Sequence, residues 1–328
     1  MTDLALAAFA AEVGGHVVEE PRERRFDRFR RGFDEGAYRA ALAARRLRFV
    51  GRSEPEFPRP LRELHDPPAG LFLRGAADIE LLGACSVAIV GARACSGYGS
   101  QVARLLGREL AAAGLVVLSG LARGVDGEGH RGALEAGGQT VAVLGCGVDR
   151  DYPAAHASLA AAIAERSLLV SEYEAGVEPA PWRFPARNRI VAGLAAATIV
   201  VEARERSGAL ITADFALEAG REVFAVPGEI TSTLSAGTNA LLRLGATPLT
   251  SADDVLEALG IEPAARPALD LGEAARAVLE AVSQEPAGVD RLVRGTGLDA
   301  AAVATALAEL ELAGFVAEAE GVYRGVRP

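Results

Sequence analysis

VAIVGARACSGYGSQVARLLGRELAAAGLVVLSGLARGVD, residues 87–126, holds two short apolar runs, Val87–Val90 and Leu115–Leu118, each ending in a turn of small residues. Both runs are rich in β-type residues and short enough to be buried strands. Between them Val102, Leu105, Leu106 and Leu110 recur at helical spacing, and Gly114 stands where a helix stop is expected. Strand, glycine-rich turn, helix, strand and turn make one βαβ unit, whose strands must be parallel. Both turns then lie at the carboxyl ends of neighbouring strands, the edge where open α/β sheets bind ligands. A glycine-rich turn before a helix presents N–H groups and a positive dipole end, which suits a phosphate. Arg93 and Arg123, one on each turn, add formal charge to the same place. Turn chemistry alone explains either loop by itself; two such loops side by side, each with an arginine, favour an anion-facing edge. Gly91, Gly97 and Gly99 do not follow G-x-G-x-x-G, and no G-K-[ST] follows them. A dinucleotide fingerprint and a P-loop therefore both lose ground.

Outward from this stretch the alternation continues. Candidate strands at Thr140–Leu144, Leu168–Ser171, Thr198–Val201 and Glu222–Val226, with a weak edge at Thr247–Leu249, are separated by helical patterns, including one starting at Asn188. Strands alternating with helices specify a Rossmann-like, mainly parallel sheet covered on both faces. We expect this α/β domain to span residues 87–260. Residues 1–48 read as a small helical N-terminal segment, from the apolar Leu4, Leu6, Phe9 and Val13, a stop near Gly14-Gly15, and a mixed-charge run from Glu19 to Arg31. That run reads as a solvated helix face. Residues 49–86 read as an extended connector because of Pro55, Pro58, Pro60, Pro67 and Pro68. Residues 261–270 are a Pro/Ala linker. Residues 271–328 hold three helical patterns and a hairpin around Glu320-Gly321, which is winged-helix order. The third of these helices carries Glu309 and Glu311 and no base-reading Arg, Asn or Gln, so a protein-contact or regulatory role suits it better than a DNA groove.

The net charge of −10 argues against indiscriminate coating of nucleic acid, but a local basic site is compatible with it because salt screens distant charges beyond about 10 Å. Lysine is absent, so every cationic side chain other than histidine is an arginine. This looks compositional, and no single arginine is read as selected for bidentate binding. Cys85, Cys95 and Cys146 show no C-x-x-C spacing and are too few for a disulfide framework or a zinc site, which predicts small buried residues in a reducing compartment. No signal-like N-terminus or membrane-length apolar run is present, and the expected location is cytoplasmic, with no membrane partner.

Four further stretches fall on the carboxyl edge. Leu144–Pro153 carries Gly145, Gly147 and Arg150. Ser171-Glu172-Tyr173 offers a ring to a base, although a core tyrosine is the plainer account. Trp182–Arg189 places Arg183, Arg187 and Arg189 among aromatics, with Pro185 and Asn188 as a helix start. Glu202–Gly208 opens the next helix through Ser207 and Gly208, and suits either a phosphate or a regulating carboxylate. Asp126 and His130 sit four apart and share a helix face; a capping aspartate and a buried histidine explain them more simply than acid–base work.

The ordered series VAIVGAR, SGLARGVD, TVAVLGCGVDRDYP, SEYEAG, FPARNRIVAGL, VVEARERSGALITA and GREVFAVPG resembles the DNA processing protein A family, also called DprA or Smf. The likeness runs from about Phe49 to Leu259 and onward towards the C-terminus. It implies a single-stranded DNA-binding recombination mediator that associates with RecA recombinase, helps load it and works as a homodimer in DNA processing and natural transformation. It implies no catalytic residues, no metal and no nucleotide cofactor. The family's glycine-x-arginine turn maps to Gly91 and Arg93, its second turn to Ser119, Gly120 and Asp126, its basic residue after the third strand to Arg150, and its Arg-Asn-Arg motif to Arg187, Asn188 and Arg189. Arg93, Arg150, Arg187 and Arg189 are the expected phosphate contacts, with Ser96, Arg123, Ser207 and Gly208 beside them. The sequence departs from the family at Gly129, where alanine is usual, and at Glu174, where proline is usual.

Two other classes compete. The same sheet type resembles phosphoribohydrolases of the lysine-decarboxylase-like family, but their P-G-G-x-G-T-x-x-E motif is missing around Ala225–Glu229. An interaction scaffold that does not bind DNA fits the acidic balance.

Overall fold

A computed structural model describes residues 3–12, 24–262, 271–319 and 321–325. The expected stop at Gly14-Gly15, the first part of the mixed-charge run, most of the 261–270 linker and Glu320 lie outside them. The chain divides into two compact units, Met1–Pro263 and Ala264–Pro328.

The first unit begins with three helices, α1 (Asp3–Glu12), α2 (Arg24–Gly32) and α3 (Glu35–Ala44), followed by β1 (Leu47–Gly51), a short α4 (Arg59–Arg62) and β2 (Gly70–Arg74). The alternation then runs β3 (Ser86–Val90), α5 (Gly97–Ala112), β4 (Val116–Ser119), α6 (Val125–Glu135), β5 (Thr140–Val143), α7 (Ala157–Arg166), β6 (Leu168–Ser171) and α8 (Arg183–Leu194). It closes with β7 (Ala197–Val200), α9 (Gly208–Glu218), β8 (Glu222–Ala225), α10 (Ala236–Arg243), β9 (Thr247–Pro248) and α11 (Ala252–Ala258). All nine strands form one sheet in the order β1-β2-β6-β5-β4-β3-β7-β8-β9. From β6 to β9 the neighbours are parallel; β1 and β2 are antiparallel to each other, and β2 is antiparallel to β6.

Residues 49–86 are thus not a connector. Their prolines lie in the 55–68 interval between two strands, and the strands themselves pair with Phe49 opposite Phe72. The hairpin adds an antiparallel edge to the parallel sheet, a common arrangement in doubly wound folds.

Because side chains alternate along a strand, each central strand feeds two cores. Ala88 and Val90 of β3 pack with Ile190 and Val191 of α8 and Ala209 and Ala213 of α9 on one face. Val87 and Ile89 pack with Leu106 and Leu110 of α5 and Val125 and Ala133 of α6 on the other. Gly107 and Gly129 let α5 and α6 approach closely, since a Cβ at Gly107 would lie 2.3 Å from the Gly129 carbonyl oxygen.

The chain lays β4, β5 and β6 to one side of β3, then crosses through α8 to place β7 on the other. The seam between β3 and β7 is therefore the topological switch point, and the crevice outside their carboxyl ends is the expected ligand position.

The second unit contains α12 (Glu273–Gln284), α13 (Val289–Thr296), α14 (Ala300–Leu312) and an antiparallel pair, β10 (Val316–Ala319) with β11 (Val322–Gly325). Gly297, with φ +70°, ends α13 in the left-handed region. Val278, Leu292, Val303, Leu307 and Leu310 form its own core. Three helices followed by a hairpin are the winged-helix order.

Candidate nucleic-acid interface

Two shallow cavities lie along the carboxyl edge. One, of about 220 Å³, is walled at the switch point by Gly91, Arg93, Asn188, Ser207 and Gly208. The other, of about 190 Å³, is walled by Arg93, Arg123, Gly145, Tyr152 and Phe184. Both fall below the ~300–1,000 Å³ of enclosed small-molecule sites. They form an open trough suited to an extended ligand.

Arg93 stands between the two cavities and belongs to both. It is exposed, and its guanidinium lies over the Phe184 ring, 5.3 Å from the centroid. Phe184 in turn stacks with the exposed Tyr152 at 5.4 Å and an interplanar angle of 22°. A cation held against a ring face, with ring area left open, combines the two features that strand binding uses. Arg123 is exposed on the neighbouring turn.

The helix that opens onto this trough is α9. Ser207 caps it, its Oγ accepting from the Ala209 N–H at 3.3 Å. The Gly208 amide, as the first residue of the helix, has no acceptor within it. Asn188 anchors this end, donating from Nδ2 to the Gly208 carbonyl at 3.1 Å. Gly91, Arg93, Asn188, Ser207 and Gly208 are therefore brought together, with Arg123 on the same edge.

The remaining expected contacts are placed otherwise. Ser96 caps α5, accepting from the Gly99 N–H at 3.0 Å, and gives its own N–H and Oγ–H to Glu202 at 2.9 and 2.5 Å. It has no donor left for a phosphate. Ser119 is fully buried and donates to the Ile89 carbonyl at 2.6 Å. The Gly120 N–H goes to Asp126 at 3.1 Å, although Gly120 still lines the trough. Leu121, at φ +58°, turns the backbone so that the Ala122 N–H also reaches Asp126, at 3.4 Å. On both glycine-rich turns, then, amides expected to be open are engaged by the protein's own carboxylates: Ser96 by Glu202, and Gly120 and Ala122 by Asp126.

Arg187 and Arg189 do not stand on the rim; each is only 4% exposed, and Arg187 lines the floor of both cavities. The helix that carries them starts at Arg183, five residues before the expected start. Pro185 is tolerated because a first-turn residue has no intrahelical acceptor for the N–H it lacks. Arg187 therefore points under the turns, donating to the carbonyls of Gly120, at 2.9 Å, and Val143. Burial raises the Asp126 carboxyl pKa, and the charge of Arg187 opposes that rise. Arg189 makes a two-pronged contact with Glu172 at 2.9 and 2.7 Å and an ion pair with Asp66 at 3.2 Å. Arg150 is half-exposed but pairs with Glu178 at 2.7 Å and the Gly176 carbonyl at 3.0 Å.

Tyr173 is a core residue, 6% exposed, edge-on to Trp182. Trp182 itself is 46% exposed, so among the described residues the open rings on this edge are Tyr98, Tyr152 and Trp182. His130 is fully buried; Thr140 Oγ donates to the Val117 carbonyl at 2.7 Å and so accepts from His130 Nδ1–H at 2.6 Å. Burial, then the charges of His156, Arg187 and Arg131, lowers the His130 pKa to about 3. It stays neutral at ordinary pH and is closed off from solvent. Of the cysteines, Cys146 is buried as expected, Cys95 is partly exposed and Cys85 is exposed. Among the described residues no helix is long and apolar enough to cross a membrane.

A doubly wound sheet with a cationic, aromatic trough at its switch point, followed by a winged-helix unit, defines a Rossmann-type protein with an appended winged helix. The family model described as DNA recombination-mediator protein A matches residues 48–260, and that of the DprA winged helix domain matches 262–321. The chain belongs to the DprA/Smf family. It is 39% identical over 283 residues to protein Smf of Escherichia coli, covering 83% of this chain and 75% of that one. It is 46% identical over 200 residues to DNA processing protein DprA of Streptococcus pneumoniae, covering 61% and 70%. A crystal structure of the S. pneumoniae protein superposes with a TM-score of 0.66 at 37% identity, over 77% of this chain and 91% of that one. A structure of the Helicobacter pylori protein, concerned with that protein's single-stranded DNA binding mode, superposes with a TM-score of 0.59 at 32% identity, over 65% and 95%.

Proposed function

We propose that the trough binds single-stranded DNA and that the protein delivers the bound strand to a RecA-type recombinase, acting as a homodimer in the cytoplasm during DNA processing. The observation that carries this reading is the position of Arg93, an exposed guanidinium on a ring face, beside the N-terminus of α9 and between two open cavities. Arg93 and Arg123 supply charge, the Gly208 amide supplies a directed donor, and Phe184 and Tyr152 supply ring surface. Family membership supports the mediator role, and the binding mode reported for the H. pylori relative supports the ligand.

Titration of a fluorescent single-stranded oligonucleotide at two salt concentrations tests the reading. Affinity should fall with salt at a log–log slope of about −0.7 per phosphate contacted. Arg93→Ala should lower the affinity and make the slope shallower by about one such step. Binding that is absent or indifferent to salt favours a scaffold instead.

A further inference from the structure

In a doubly wound fold the first βα turn at the switch point receives the phosphates of a nucleotide on the N-terminus of its helix. Here that helix is α5, and its N-terminus is occupied by a side chain from the far side of the seam. Glu202 follows β7, is 4% exposed, and accepts from the Ser96 N–H and Oγ–H at 2.9 and 2.5 Å. The fit is close. A Cβ on Gly99 would stand 2.4 Å from the Glu202 carboxylate, and one on Gly91 would stand 3.0 Å from the Glu202 carbonyl oxygen. The carboxylate carries the charge, the acceptor geometry and the location that a bound phosphate would have.

The geometry points to Glu202 as an internal anion that closes the nucleotide-type phosphate site and so sets the protein's ligand specificity. With α5 filled, the anion-binding capacity at the seam rests with the α9 N-terminus and Arg93, both on the open rim. A free nucleotide or pyrophosphate, which needs a deep cradle, is refused. A strand, which needs only a line of contacts, is not. The inference concerns which anions are refused, and it stands or falls separately from strand binding.

Inorganic pyrophosphate is the probe. In the wild-type protein the amide resonances of residues 97–100 should not move on NMR titration with millimolar pyrophosphate, whatever the anion does at the open rim. Glu202→Ala removes the carboxylate and should bind pyrophosphate at least about tenfold more tightly than wild type, with those amides shifting; Glu202→Gln, which keeps the bulk, should not gain it. Shifts of residues 97–100 in the wild type would overturn the inference, even if Glu202→Ala failed to fold. A folded Glu202→Ala that still ignores pyrophosphate would overturn it as well. Failure of strand binding alone would leave the pyrophosphate result unchanged.

Discussion

Arg189 and Glu172 form a two-pronged ion pair with both side chains 5% exposed, although one sits in an arginine-rich motif expected to grip phosphate. Burial disfavours the Arg189 charge, but Glu172 and Asp66 overcome that and hold its pKa above the ordinary range. Removing one partner leaves the other charged and out of water, which costs about 3–5 kcal/mol. Arg189→Met should therefore lower the melting temperature by about 6–20 °C, taking ~2–4 °C per kcal/mol. Arg93→Met, at an exposed position, should stay within about 0.5 kcal/mol of wild-type stability while losing strand affinity. Thermal melts alongside the oligonucleotide titration separate the two arginines; equal loss of stability would refute the division.

Phe184 supports Arg93 and stacks on Tyr152, so its removal acts through ring contact and not through charge. Phe184→Ala should weaken strand binding by about 1–3 kcal/mol. The salt slope should be unchanged. A slope that falls as it does for Arg93→Ala would mean that Phe184 matters only by holding the cation.

Stability should respond to acid through His130. Its folded pKa, about 3, lies below the unfolded value of 6.5, so the unfolded chain takes up the proton first as pH falls. The contribution is intact above about pH 6.5 and is lost progressively towards pH 3. Between pH 7 and pH 5 it amounts to about 2 kcal/mol of lost stability. Urea unfolding of His130→Gln at both pH values should show a difference smaller than wild type by about that amount.

Gly124 couples the two turns. It adopts φ +75°, and a Cβ there would lie 2.2 Å from the Ala92 carbonyl oxygen. Gly124→Ala should destabilise by more than about 1 kcal/mol, because both the backbone conformation and the contact oppose it. It should also weaken strand binding, since the displaced loop carries Arg93. Unchanged urea midpoints would contradict the packing described.

The parallel strands were legible because each is a short apolar run set between helical patterns, a signal contained within a few residues. The β1–β2 hairpin was not, because its partners are separated by the proline-rich interval and only their pairing reveals them. Arg93 was legible for the same local reason: it follows a strand end by three residues. The direction of Arg187 depends on the carbonyls of Gly120 and Val143, and that of Ser96 on Glu202, over a hundred residues away. A motif tells which groups are present; the fold decides which of them spend their hydrogen bonds indoors.

Asn188 is the carboxamide in the trough wall, and both of its ends are engaged: Oδ1 accepts from Arg187 Nε at 3.2 Å while Nδ2 donates to the Gly208 carbonyl. What the trough offers a guest is guanidinium charge, the Gly208 amide and the flat faces of rings; set against phosphates and base faces, these serve any base alike. Poly-thymidine and a scrambled heteropolymer of equal length would be handled alike, so the choice of where to act would lie with whatever exposes the strand.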